Sequence, residues 1–396
     1  METTLSTKPE LADIFRRHSH KLSFLFPEQK KVIQAIMACR TAELGGHILQ
    51  CDTCGSMEIS YNSCRNRHCP KCQSLAKARW IMDREQELLD VPYFHVVFTF
   101  SDLLYPIALQ NKKVVYDILF QASARTLKEV AANPINLGAK IGFISILHTW
   151  DQQLNHHPHI HCIVPGGGLS KDRTRWISSA ENFFLSVKIL SAVFRAKFLS
   201  CLEKAFRLHK LVFYGQTTAL AAPDTFKQLL RQSCQTNWVV YAKRPFAGPQ
   251  QVLNYLGRYT HRVAISNNRI LSMTDSTVTF EWRDRRNDNV VKEMTLDVVQ
   301  FMRRFLLHIL PSGFMKIRHY GFLGNPSRKD TIALCQNLTG GTAAAKKPEK
   351  NPETWRDMMI FLTGQDPTLC PQCGKGHMVV FKELPRQLNP VRLKAG

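Results

Sequence analysis

The sequence predicts an α+β fold with a small cysteine-rich module near its N-terminus. Three observations carry that prediction. Short runs rich in aromatic and β-branched residues, such as residues 93–100 (Tyr-Phe-His-Val-Val-Phe-Thr-Phe), suit pleated strands. Longer segments with helical spacing of apolar residues, such as residues 112–132, stand between them. Five of the twelve cysteines crowd into residues 51–72.

Taken in order, residues 1–46 read as helical, with Pro27 near the start of a helix through Val32, Ile33, Ile36 and Met37. Residues 73–89 form a further helix, rich in Ala, Arg and Glu. Residues 141–150 and 159–164 are two strands joined by the polar loop 151–158. A basic helical stretch covers 179–209, a short strand 238–242 and a helix 249–262. Two or three strands with Asn-rich turns occupy 269–292, and a helix covers 296–310. These elements divide the chain into an N-terminal unit (1–90), a main body (91–338), a linker (339–352) and a small tail (353–396).

Charge narrows the partners. Fifty-three Lys and Arg against thirty-one Asp and Glu give a net charge of +22. Such an imbalance favours a polyanion, and nucleic acid is the commonest one. A membrane surface is the competing reading. No apolar run is long enough to span a bilayer, and no charged leader precedes a long apolar core. Clustered cysteines match metal sites in a cytoplasmic, nucleoid-associated protein better than a secreted disulfide scaffold.

Cys51-x-x-Cys54 and Cys69-x-x-Cys72 are separated by fourteen residues. Two such knuckles can offer four thiolates tetrahedrally to Zn2+. His47, Cys64 and His68 are substitutes or members of a larger site. Arg65, Arg67 and Lys71 stud the same loop, as a zinc-stapled basic knob for DNA contact would require. Cys370-x-x-Cys373 is half a site, open to closure by Cys335, His319 or His377, or a bare turn.

His159 and His161 flank one apolar residue in a predicted strand. Alternation puts both imidazoles on one face, with Ile160 and Cys162 on the other. Paired imidazoles suit a divalent ion. Gln152, across the loop, is the first candidate for a third ligand, with His148 and His157 as rivals. Gly166, Gly167 and Gly168 either admit a phosphate backbone or simply end the strand.

Tyr255 and Tyr259 lie one helical turn apart. The run Val252, Tyr255, Leu256, Tyr259 also describes an ordinary core stripe. Against that stands the company of Arg258 and Arg262, with Lys243 and Arg244 upstream. A phenol with pKa near 10 is a weak nucleophile at neutral pH. A divalent ion and neighbouring arginines supply what it lacks when the target is a phosphodiester.

At these residues the chain resembles the two-tyrosine HUH transposases of the rolling-circle, IS91-type insertion sequences. The resemblance rests on Cys64-Arg-Asn-Arg-His-Cys-Pro-Lys-Cys72, His95-Val-Val-Phe-Thr-Phe100, His148-Thr-Trp150, the run from His157 to Gly168, and Tyr255-Leu-Gly-Arg-Tyr-Thr-His-Arg262. It implies an N-terminal zinc-binding domain and a catalytic domain over 91–338. It also implies an HUH-type antiparallel sheet with flanking helices. By the same resemblance, His159 and His161 hold Mg2+ or Mn2+, and Tyr255 and Tyr259 are the nucleophiles. Single-stranded DNA and element-end DNA are then the substrates, through a 5′-phosphotyrosine, with host replication proteins as candidate partners. No Gly-x-x-x-x-Gly-Lys-Ser/Thr loop is present, so unwinding is left to the host or to DNA topology. A plasmid replication initiator or relaxase would share this chemistry; a zinc DNA-binding protein without catalysis is the reading from another class.

Overall fold

A computed structural model describes residues 8–85, 87–180, 184–236, 238–243, 263–284, 287–324, 328–340 and 354–387. The N-terminal part holds helices α1 (Leu11–His18) and α2 (Pro27–Ala38), strands β1 (Gly46–Cys51) and β2 (Met57–Tyr61), and helix α3 (Gln73–Glu85). Pro27 sits at the first turn of α2, where its missing N–H costs nothing. The body continues with β3 (Tyr93–Thr99), α4 (Tyr105–Gln110), α5 (Lys112–Ala132), β4 (Gly142–Trp150) and β5 (His156–Pro165). Then come β6 (Gly167–Leu169), β7 (Trp176–Ser178), α6 (Val187–Arg207), α7 (Pro223–Gln235) and β8 (Val240–Lys243). After these follow β9 (Ile270–Met273), β10 (Thr277–Asp284), β11 (Val290–Asp297), α8 (Val298–Leu307), β12 (Ile317–Gly321) and α9 (Arg328–Leu338). The C-terminal part has α10 (Trp355–Thr363) and β13 (Met378–Leu384).

The main sheet has five strands in the order β12-β4-β5-β3-β8, every pair antiparallel. Each of its strands therefore alternates between two faces. One face carries Phe143 and Leu147 from β4, Ile160, Cys162 and Val164 from β5, and Phe94, Val96 and Phe98 from β3. Helices α5 and α6 cover it with Leu119, Phe120, Leu127, Phe194 and Phe198. Aromatic pairs lock this layer: Phe98–Phe194 and Phe100–Phe198 have ring centroids 5.0 Å and 4.9 Å apart. Burial of each such ring contributes roughly 2–3 kcal/mol. The opposite face is shared. Ile144, Ile146 and Ile163 pack with Leu89, Tyr93, Phe322 and Ile332, and the same face carries His95, His148, His159 and His161.

A second core joins parts distant in sequence. Leu11, Phe15, Ile33 and Ile36 of α1 and α2 pack against Ile270, Phe280, Phe301 and Phe305. The N-terminal helices thus bury their apolar faces on the β9–β11 sheet and α8. Leu154, from the β4–β5 loop, is fully buried in the same core. The C-terminal tail is likewise not apart: β13 pairs with β1 in a sheet ordered β13-β1-β2. Among residues expected to be helical, 179–186 are not a helix where described; the helix begins at Val187, after Ser186 in an extended conformation.

Candidate metal centres

The β4–β5 hairpin gathers three imidazoles. His148 on β4 lies directly across from His159 on β5, and Ile146 lies across from His161. Direct antiparallel partners project to the same face with Cβ atoms about 5 Å apart. His148, His159 and His161 consequently offer ring nitrogens that all lie within 4.8 Å of one another. His148 and His161 are buried, whereas His159 is half-buried and reachable.

Hydrogen bonds select the ligating nitrogens. His159 Nδ1 is 2.7 Å from the carbonyl of His157. A carbonyl only accepts, so that nitrogen carries the proton and Nε2 keeps the lone pair that can ligate. His161 Nδ1 is 2.7 Å from Nε2 of His95, a buried histidine on β3. When His161 Nδ1 donates there, His161 Nε2 keeps the lone pair that can ligate. This is the outer-shell pattern that fixes ring orientation at metal sites.

The hairpin is held from outside. Trp150 stacks on His148 with centroids 4.9 Å apart and planes at 15°. The loop backbone is fastened residue by residue. Arg269 donates to the Gln152 carbonyl at 2.6 Å, and Arg304 to that of Gln153 at 2.9 Å. His308 Nε2–H donates to the Leu154 carbonyl at 3.0 Å, while its Nδ1 is 3.2 Å from Thr149 Oγ1. Burial pulls His308 down to about 4, so it stays neutral and keeps both contacts.

The strand register favours His148, one of the two rivals, for the third position. His148 completes the group, because the antiparallel register seats it opposite His159. Gln152 lies at the tip of the loop, beyond the bulge that follows His148, with its carbonyl held by Arg269. The other rival, His157, is engaged by the Tyr105 hydroxyl at 2.8 Å. No ligand role follows for His95 from the sequence; its place beside His161, on the neighbouring strand, is decided in the folded sheet.

Eight of the twelve cysteines form two groups, and neither is the expected set of Cys51, Cys54, Cys69 and Cys72. One group is Cys39, Cys64, Cys69 and Cys72; the other is Cys51, Cys54, Cys370 and Cys373. Hairpin geometry explains the split. Strand β1 carries Cys51 and Cys54 to its far end, and β2 brings the chain back beside α2, where Arg40 N–H donates to the Asn62 carbonyl at 3.0 Å. Cys64 and the 69–72 knuckle therefore land next to Cys39, a strand length of roughly 17 Å from Cys51. In the first group, Cys72 Sγ lies 3.4 Å from Cys39 Sγ and 3.6 Å from Cys64 Sγ. Four sulfurs about 2.3 Å from a tetrahedral zinc stand about 3.8 Å apart, so the spacing fits that ion. A disulfide needs about 2.05 Å, and these cysteines are free.

Two basic side chains of the cysteine loop meet partners within the protein. Arg67 turns inward, donating from its guanidinium to the carbonyls of Phe314 at 2.5 Å and Pro311 at 2.9 Å. Lys71 pairs with Glu10 at the start of α1. Both contacts help to dock the cysteine loop, while Arg65 stays exposed. Tyr255, Tyr259, Arg258 and Arg262 lie outside the described residues. The glycine run resolves toward packing. A Cβ on Gly168 would stand 2.6 Å from the Lys140 carbonyl oxygen, so close backbone approach requires glycine there.

Comparison with known proteins completes the picture. Residues 142–330 match the family described as "Putative transposase", and residues 11–100 match a transposase zinc-binding domain. Over 388 residues the chain is 50% identical to "Putative transposase y4qJ" of Sinorhizobium fredii (strain NBRC 101917 / NGR234), covering 97% of this chain and 98% of that protein. It is 27% identical over 364 residues to the transposase for insertion sequence element IS801 of Pseudomonas savastanoi pv. phaseolicola, covering 87% and 81%. No solved structure matches the chain.

Proposed function

Because the chain belongs to the IS91-type transposases with an N-terminal zinc-binding domain, we propose that it cuts and transfers a single DNA strand by tyrosine attack at the three-histidine centre. The observation that carries this reading is the converging triad of His148, His159 and His161 on the β4–β5 hairpin. Three neutral imidazoles fit Mn2+ better than Mg2+, which prefers oxygen ligands. Such an ion, when bound, stabilises the charge that builds on the scissile phosphate. The histidines would hold it at the sheet surface, and the fastened loop 151–155 would keep them in place as DNA arrives.

The nucleophiles in this proposal are Tyr255 and Tyr259. A phenol oxygen bonds to phosphorus and loses its proton; the P–O3′ bond breaks and the 3′ oxygen gains a proton. The strand is left as a 5′-phosphotyrosine, which conserves the bond for rejoining. Support comes from the flanks of the tyrosine segment. The chain enters it from Lys243, which pairs with His95 on β3. It leaves at Val263, which lines a small cavity with Thr149, Trp150 and His308. Both ends of the segment thus adjoin elements that build the histidine centre. The hydrolytic alternative uses water and leaves no adduct. Incubation with single-stranded element-end DNA and Mn2+ should give a covalent protein–DNA band on denaturing gels. Tyr255→Phe with Tyr259→Phe should abolish it. Persistence of cleavage in that double variant would remove the tyrosines from the reaction.

A further inference from the structure

The second cysteine group has no part in the strand-transfer proposal and is independent of it. It joins opposite ends of the chain. Cys51 closes β1 and Cys54 lies in the following turn; Cys370 and Cys373 precede β13, which runs antiparallel beside β1 with Cys51 opposite Met378. Cys51 Sγ is 3.7 Å from Cys373 Sγ, and Cys54 Sγ is 3.7 Å from Cys370 Sγ. Those are tetrahedron edges for zinc with thiolate ligands.

The two knuckles are built alike. Each reads Cys-x-x-Cys-Gly, and Gly55 and Gly374 have φ of +73° and +64°. In each, the glycine N–H returns to the first cysteine's carbonyl, at 3.1 Å from Gly55 to Cys51 and 2.9 Å from Gly374 to Cys370. Backbone N–H groups also point at sulfur, as thiolate requires: Thr53 and Cys54 at 3.4 Å from Cys51 Sγ, and Gly376 at 3.4 Å from Cys373 Sγ. The knuckle at Cys69 differs, running without a glycine directly into α3.

A second observation shows why a staple belongs there. Strand β2 is exposed along its whole length, and β13 is exposed at its five central residues. A three-stranded sheet with so little apolar burial needs a staple, and a structural metal is one such device.

We propose that Cys51, Cys54, Cys370 and Cys373 form a second structural zinc site, which fastens the C-terminal segment to the N-terminal sheet. The four thiols lose their protons as the ion binds. Zinc released from the purified full chain by an organomercurial, which attacks thiolate sites only, should come to two ions per chain. Cys51→Ser and Cys370→Ser should each lower that to one, and combining them should leave one. Cys69→Ser with Cys370→Ser should leave none. Two ions in Cys370→Ser, or one in Cys51→Ser with Cys69→Ser, would overturn the assignment. Should a variant fail to fold, the native protein still decides. Cys54 is exposed, so its resistance to N-ethylmaleimide, lost on chelation together with that of Cys51, Cys370 and Cys373, would support the site. Ready labelling of Cys54 before chelation would refute it.

Discussion

His95→Phe tests the reading of the histidine centre most directly. His95 does not belong to the triad; it holds His161 through the 2.7 Å contact between its Nε2 and His161 Nδ1, inside the sheet. Phenylalanine fills comparable space but offers His161 no acceptor. Loss of an outer-shell partner typically lowers metal affinity 10- to 100-fold. That corresponds to about 1.4–2.7 kcal/mol. The assay is DNA nicking as a function of Mn2+ concentration. The half-saturating Mn2+ should rise by that factor, while the rate at saturating Mn2+ falls far less. His95→Gln, whose side-chain oxygen can accept from His161, should recover part of the loss. A merely structural role would lower the rate at every Mn2+ concentration and leave the half-saturation point unchanged. An unshifted midpoint in His95→Phe would refute the orientation argument.

Stability should fall on mild acidification, because His308 is held neutral by burial with its pKa near 4, against 6.5 for the unfolded residue. Between those values the unfolded chain binds the extra proton, so this contribution is complete above pH 6.5 and is lost as pH drops toward 4. It is on the order of 3 kcal/mol; urea midpoints measured across this range should show the decline, and His308→Gln should remove its share, leaving those of buried His68, His156 and His319. Arg67→Ala should lower stability by about 1–3 kcal/mol, since two carbonyls lose their donor, yet leave DNA affinity within a factor of about two. A selective loss of DNA binding at unchanged urea midpoint would restore Arg67 as a DNA contact. DNA binding by this +22 chain should weaken steeply with salt; a flat response from 50 to about 200 mM would argue against phosphate contacts as the main attraction.

Several features were legible before folding was considered. Alternation along a strand is dictated by the covalent backbone, so His159 and His161 had to share a face, and Ile160 and Cys162 had to share the other. The helix over 112–132 and the strands at 93–99 and 142–150 follow from spacing within a dozen residues. Clustered Cys-x-x-Cys pairs announced metal for the same local reason. The repeated Cys-x-x-Cys-Gly at 51–55 and 370–374 is a further signal, since like knuckles pair, but its halves lie more than three hundred residues apart.

Which groups meet is another matter. His148 reaches His159 only because β4 and β5 pair in one register, and a slip of one residue would have turned it to the other face. Cys39 joins Cys64 because the β1–β2 hairpin folds the chain back on α2, and Arg67 is drawn inward by carbonyls of residues 311 and 314. The tail became the third strand of an N-terminal sheet by hydrogen bonding to β1. Residue type and spacing determined what each segment could do chemically, because those properties are set by neighbours along the chain. Partnership was decided by tertiary structure, because it depends on register and shared burial between segments that no local pattern connects.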